Sequence, residues 1–386
     1  MNTDSLKRIC YGLAILGLFL GVAGSAAAQW DVSVTYEQEY NTNPFRAVQN
    51  TSTWISVFDL AIQRNFSGSS LGYFGYFGSF NQLTDRDFYW HQLAWWGSAG
   101  QTYWGTLFEQ RLNSQMYNAY NYNVGTAYLT HTIRANNILW RLNGSGKVTF
   151  YPELKEFNNI KFDLGVLANK SFPTRTTVIA SGGVHYKQYL TKVVSYLDSS
   201  NTMRRTSIRM DFYDPVEYEA MPGIMQFDWR VRLAQSLTKS TGLAVQYSQR
   251  SLLAQAAKSI ADIPYTSYQE SEIFDDPMSY NGHSAGSEIT QLLPFGLMAK
   301  GAFYANWKNY VGQPAYIEPD IYDMGTNRKD VLKNAWIYLE KTVYFTWISE
   351  QSITLSVTYQ WKENRSNSYW YNYTVHFGSM GIEYNF

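Results

Sequence analysis

The sequence predicts an all-β chain: a closed, up-and-down antiparallel barrel of about sixteen strands, with fourteen as the alternative, whose strands cross a membrane. Three observations predict it. Apolar and polar residues alternate through most of the chain, the two-residue period of a strand with unlike faces. The polar sides carry full charges, which a dry core would reject and a water-filled interior accepts. Short turns and long polar connections alternate along the chain, as expected when one rim of a barrel holds tight turns and the other holds loops.

Composition supports the same class. The 386 residues are 17% aromatic and only 16% charged, with 32 Tyr and 13 Trp, against about 25% charged in an average globular chain. Mean hydropathy is −0.33, too polar for a bundle of membrane helices. Residues that alternate between lipid and water average out this way. The formal charge is zero, and nothing in the balance suggests a nucleic-acid partner. The one cysteine is Cys10, which leaves no disulfide or cysteine metal site in the region that follows.

Residues 1–28 read as a cleaved secretory signal and 29–386 as the barrel. Lys7 and Arg8 form the positive end, Ile9 to Val22 the apolar run, and Ala26 and Ala28 the small-x-small cleavage pattern before Gln29. The apolar run is shorter than the roughly 20 residues of a spanning helix.

Alternation starts at once. Val32, Val34, Tyr36 and Tyr40 share one parity; Asp31, Ser33, Thr35, Glu37 and Glu39 share the other. Trp54, Phe58, Leu60 and Ile62 oppose Asp59 and Gln63. Ile160, Phe162, Leu164 and Val166 oppose Lys161 and Asp163, and Phe227, Trp229, Val231 and Leu233 oppose Asp228, Arg230 and Arg232. The last full pattern sets Ile353, Leu355, Val357, Tyr359 and Trp361 against Thr354, Ser356, Thr358, Gln360 and Lys362. Strands of roughly 10–14 residues suit a tilted barrel.

Turn chemistry recurs at 67–69, 97–100, 134–136, 171–174, 238–241, 293–296 and 349–352, all rich in Gly, Pro, Ser or Asn. Longer connections are expected near 41–51, 81–87, 113–121, 151–157, 190–224, 253–285, 310–330 and 363–368. Within the longest, Leu253 to Asp262 has helix-compatible composition, alongside the simpler reading of a solvated excursion. Aromatics bunch at Tyr73, Phe74, Tyr76 and Phe77, at Tyr89, Trp90, Trp95 and Trp96, and at Tyr369, Trp370, Tyr371 and Tyr373. Amphipathic rings of this kind suit the headgroup level, and cross-strand packing is the alternative.

Candidate chemistry is sparse. The histidines are His91, His131, His185, His283 and His376, none in HExxH, and no serine sits in GxSxG. Asn143 to Lys147 is Gly-rich without phosphate-loop spacing, so a bent strand explains it better. Glu270, Glu272, Asp275 and Asp276, with Asp262 nearby, match no defined calcium loop. No catalytic residue, metal or cofactor is therefore expected. Parity instead points to a charged inner wall. Arg111, Arg141, Lys161, His185, Lys187, Arg230, Arg232, Arg250, Lys300, Lys308 and Lys362 face inward, opposed by Glu109, Asp163 and Asp228 together with Asp31, Glu37, Glu39, Asp59 and Glu340. Charged rings tune which solutes a pore admits, and a near-balanced set predicts weak selectivity. Mutual pairing that stiffens the wall is the alternative.

The C-terminal stretch ends on Phe386 with Tyr384, Ile382 and Met380 at alternate positions before it. This resembles the closing strand of bacterial outer-membrane β-barrels, whose final residue is typically Phe. The resemblance to the porin class, in size, strand number and turn pattern, implies an outer-membrane location in a Gram-negative envelope. It also implies recognition of Phe386, Tyr384 and Ile382 by the barrel-assembly machinery, contact with outer-membrane lipid and passage of small solutes, and it admits a homo-trimer. No loop shows the constriction motif of general porins, although those at 190–224 and 253–285 are long enough to fold inward. Tyr40 to Arg46 also resembles an early motif of barrels that include lipoprotein-export components. The leading expectation is a weakly selective channel. The second is a non-enzymatic barrel that anchors a partner or passes a polymer or protein; the third is a lipid- or peptide-cleaving barrel.

Overall fold

The structure is a computed structural model that describes residues 30–46, 48, 51–81, 86–190, 194–195, 216–217, 223–255, 277–319, 321–345 and 351–385. The expected signal segment, the acidic cluster at 262–276, Phe386 and most of the loops 190–224 and 253–285 lie outside the described residues.

Among the described residues eighteen strands run β1 (Trp30–Asn41), β2 (Thr53–Phe66), β3 (Ser69–Phe80), β4 (Phe88–Ala99), β5 (Thr102–Asn113), β6 (Tyr122–Ala135), β7 (Ile138–Phe150), β8 (Asn159–Ser171), β9 (Thr176–Tyr189), β10 (Val194–Ser195), β11 (Val216–Glu217), β12 (Gly223–Ser236), β13 (Thr241–Gln255), β14 (Tyr280–Leu292), β15 (Leu297–Glu318), β16 (Ile321–Tyr344), β17 (Ser352–Ser366) and β18 (Tyr373–Asn385). The two-residue strands β10 and β11 pair only with each other. The remaining sixteen close into one antiparallel barrel, each beside its neighbour in sequence, with β9 passing to β12 and β18 returning to β1. Closure runs from Ser33 against Asn385 to Asn41 against Phe377. It removes the open edge whose unpaired backbone groups hydrocarbon would not tolerate.

At one rim the hairpins are tight. Gly68 takes φ 82°, and Asn136 and Asn137 take φ 52° and 60°. These left-handed values match the twist of two-residue hairpins and suit Gly and Asn. The long connections gather at the opposite rim. Strands such as β1 and β17 run 12 and 15 residues. At roughly 3.3 Å per residue and a tilt of about 45° they rise about 28 and 35 Å, enough to cross the roughly 25 Å apolar band of a membrane barrel.

Two expectations change. Residues 310–330 are not a loop: β15 and β16 extend to 22 and 24 residues and pair almost to the tip, through register shifts around Pro314 and Ala315. Pro and Gly in this segment read as turn signals, but Pro lies at a bulge, where its missing N–H costs no ladder bond. Leu253 to Gln255 belong to β13 and so continue a strand despite their helix-compatible composition; the remainder of that candidate helix lies outside the described residues.

The aromatic clusters divide between the two faces. Tyr73 opposes Ile62, and Phe77 opposes Phe58, while Tyr76 opposes Asp59 on the other side. Tyr89 stacks on Phe77 at 4.7 Å, and Trp95 meets Trp104 edge-on at 4.9 Å. Trp90 and Trp96 point the other way, because adjacent strand residues cannot share a face.

Candidate functional site: the charged face of the wall

Residues directly opposite in an antiparallel ladder lie on the same face, so each face can be followed round the barrel by its pairing. One face carries exposed apolar groups. Leu164 and Met380 are each 68% exposed, Phe162 54% and Leu129 53%. The other face gathers the charges.

Every residue expected on the inner wall falls on that second face. Lys161 opposes Lys187, and Asp163 opposes His185. Asp228 opposes Arg250, while Arg230 and Arg232 oppose Ser248 and Gln246. Arg250 opposes Gly282, which opposes Lys308; Lys300 opposes Thr290. Glu109 and Arg111 oppose Gln92 and Trp90, and Arg141 opposes Thr132 and Leu167. At the closing seam, Tyr384 and Ile382 oppose Val34 and Tyr36 on the apolar face.

The structure brings some of these residues together. His185 sits between Asp163, which its Nδ1 meets, and Asp228, which its Nε2 meets. Lys161 Nζ lies 3.1 Å from Asp163 Oδ1. Farther along, Arg232 spans the intervening strand to Glu288 at 3.3 Å, and Tyr304 donates to the same carboxylate at 3.3 Å. A reach across a whole strand is natural on a concave face, where side chains converge. Arg141 and Arg230 stay exposed.

Burial rises toward the rim with long connections. Arg111, Lys187 and Lys308 are 8%, 1% and 7% exposed. They are thus packed rather than bathed in water, against the rings of Phe88, Tyr189 and Tyr280 at 4.0, 4.9 and 5.0 Å. At the same rim Ile55, Val57, Phe80 and Phe88 form a buried cluster covered by Phe45 and Tyr76. Alternation hid this cluster, although β2 carried its signal: TWISVF is apolar on both parities.

A second arrangement also escaped the sequence. Arg328 is buried, paired to Asp330, and lies 4.0 Å from the ring of Tyr310 and 3.3 Å from that of Tyr371. Asn364 Nδ2 donates to Asp330 at 3.1 Å. Trp370 Nε1 donates to the carbonyl of Pro319 at 2.8 Å. Together these contacts tie the long β15–β16 hairpin to the β17–β18 connection.

The charges are balanced in sum but not in place. On this face β1, β2 and β18 carry Asp31, Glu37, Glu39, Asp59 and Glu383, and among the described residues of β18, β1, β2, β3 and β4 no base joins them. Glu39 Oε2 and Asp59 Oδ1 are buried without a hydrogen-bond partner. Arg141, Lys147, Lys161, Lys187, Arg230, Arg232 and Arg250 stand on β7, β8, β9, β12 and β13, outnumbering the Asp163 and Asp228 that share these strands. In the ring β9 lies eight strands from β1 in either direction, so the acidic arc faces an arc in which bases are in excess.

Among the described residues no three His, Cys, Asp or Glu side chains are grouped to hold a metal. No known protein family matches the chain, and no curated protein does. Solved structures do. OccAB3 of Acinetobacter baumannii aligns over 93% of this chain and 98% of its own, at 8% identity and a TM-score of 0.51. OccAB1 of the same organism aligns over 94% and 97%, at 10% identity and 0.49. A bacterial polysaccharide outer-membrane secretin aligns over 91% and 97%, at 7% identity and 0.47. The likeness to OccAB3, at such low identity, speaks to architecture alone, and with the closed ring of sixteen strands it gives the chain the fold of a porin-like β-barrel of the bacterial outer-membrane type.

Proposed function

We propose that the chain is an outer-membrane channel that lets small polar solutes diffuse through a water-filled lumen lined by its charged face. The observation that carries this is the pairing of a closed sixteen-strand ring with unlike faces, apolar and exposed on one side, charged on the other. A wall that is buried only to pack would not keep Arg141 and Arg230 exposed between apolar neighbours. Bases and acids of nearly equal number predict a weak preference between cations and anions. Burial at the long-connection rim supports a narrowed mouth on that side. In this reading Phe386, Tyr384 and Ile382 serve recognition by the barrel-assembly machinery.

Reconstitution into a planar bilayer tests the proposal. Stepwise conductance with small cation–anion selectivity is expected. A folded barrel that conducts nothing overturns it and favours a barrel that anchors or exports a partner.

A further inference from the structure

The apolar face is not free of charge. Among the described residues of the strands, Arg64, Lys170 and Lys341 stand on it near short turns. In the half nearer the long connections it holds Lys329 and Lys333 on β16 with Glu363 and Arg365 on β17, and among the described residues no other Asp, Glu, Lys or Arg. From Lys341 to Lys329 the rise along β16 is about 28 Å, at ~3.3 Å per residue and a tilt of about 45°, so these two lysines bracket the roughly 25 Å apolar band. The patch therefore stands at the edge of that band, where the headgroups of one leaflet lie, and Lys333 can extend its stem to the same level.

Three bases to one acid leave a positive excess. Arg365 Nε donates to Glu363 Oε1 at 3.0 Å, and Lys333 Nζ lies 3.7 Å from Glu363 Oε2. The Arg365 side chain stays 68% exposed, and Lys329 is exposed with no ionic partner among the described residues. Below the patch the side chains are short. Ala305 opposes both Lys333 and Ala285, and Ala335 opposes Phe303 and Trp361.

We propose that this patch is a site for an anionic lipid, with its phosphate on Arg365, Lys329 and Lys333 and an acyl chain along the alanines. Charge complementarity selects that occupant. A guanidinium offers paired donors to phosphate oxygens, and bases turned toward lipid are a cost to a barrel unless the lipid answers them. The site does not depend on passage through the lumen, since a closed barrel presents the same outer face.

Native mass spectrometry of the whole barrel in a neutral detergent tests the proposal. The probes are dimyristoyl phosphatidic acid, dimyristoyl phosphatidylcholine and inorganic phosphate. The first phosphatidic acid is expected to bind about tenfold tighter than the first phosphatidylcholine, the order that two bases beside one phosphate supply. Lys333→Gln with Arg365→Gln is expected to remove that preference. Glu363→Gln is expected to raise it about threefold by releasing both bases. Lys170→Gln with Lys341→Gln, at the opposite rim, is expected to leave it unchanged. Equal affinity for the two lipids in the native barrel overturns the proposal, as does a preference that survives in the Lys333 and Arg365 variant. Displacement of the lipid by an equal concentration of inorganic phosphate would make this a free-anion site and overturn the lipid assignment. A dimer that forms in the native chain and is lost with the patch would assign the face to a second copy instead. The comparison of lipids needs no variant, so a substituted chain that fails to fold leaves the site testable. The readout is mass rather than conductance, so its failure leaves the channel reading standing.

Discussion

Asp163 and Asp228 sit on strands that do not pair with each other, yet both carboxylates close on the imidazole of His185. The strand between them, β9, carries Gly183 opposite Gly165 and Asp228. A Cβ at Gly183 would stand 3.0 Å from the carbonyl oxygen of Leu164 and 3.4 Å from His185 Nε2. The bare backbone therefore makes room for the imidazole to lie along the wall. Carboxylates accept hydrogen bonds, so a ring that donates from both nitrogens satisfies both. His185→Gln keeps one such bond and is expected to lower barrel stability by about 1 kcal/mol, discounted for partial exposure. Gly183→Ala is expected to cost a similar amount by crowding the ring. Urea midpoints for unfolding from lipid vesicles measure both; unchanged midpoints would show that the contact adds nothing.

The two faces should respond oppositely to the same charge. Leu164 lies midway along β8, 68% exposed on the apolar face. Leu164→Arg is expected to destabilise the membrane-inserted barrel by about 2–4 kcal/mol. Asn143, exposed on the charged face opposite Gly165, should accept arginine within about 0.5 kcal/mol. Equal costs in a vesicle-folding titration would reverse the assignment of lipid and water.

The apolar cluster at the long-connection rim lies on the same face as the charges. Phe80 is 1% exposed, stacked by Phe45 at 5.9 Å, with Arg86 3.5 Å above the Phe45 ring. Phe80→Ala is expected to cost about 3–5 kcal/mol by leaving a cavity. Under the proposed channel reading it should also raise single-channel conductance, because Phe80 lies on the charged face at this rim. A stable variant with unaltered conductance would place the narrowest point elsewhere.

Arg328 is expected to hold the β15–β16 hairpin in place. Arg328→Ala leaves the buried Asp330 carboxylate without its cation, a change that costs about 3–5 kcal/mol in comparable buried pairs. The loss is local, since β15 and β16 extend here past their neighbours. Limited proteolysis should cut between residues 310 and 330 in the variant while the barrel keeps its heat-modifiable mobility. A hairpin as protease-resistant as the native one would argue against the anchor.

The closing seam gives a test of assembly. Tyr384 and Ile382 face Val34 and Tyr36 across the junction of the first and last strands. Phe386→Ala, and Tyr384→Ala with it, should reduce the amount of folded barrel in the outer membrane. Native levels of heat-modifiable protein in both variants would remove the proposed role of the terminus.

What the sequence determined by itself is local. Phe162 and Leu164 against Lys161 and Asp163 state a strand with unlike faces, since neighbouring side chains must point apart. Asn136 and Asn137 state a tight hairpin, since few residues accept positive φ. From such segments the barrel class, the strand number and the membership of each face could be read. The tertiary structure alone decided what stands beside or across from what. His185 meets Asp228 from 43 positions away, and Arg328 meets the ring of Tyr371 only because a hairpin folds over a later connection. Residues 310–330 extend their strands despite turn-like composition, because pairing with a neighbour satisfies their backbone. The placement of the acids of β1 across from Lys161, Lys187 and Arg230 has no local signature. It arises when the ring closes, since closure sets which strands lie half a circumference apart.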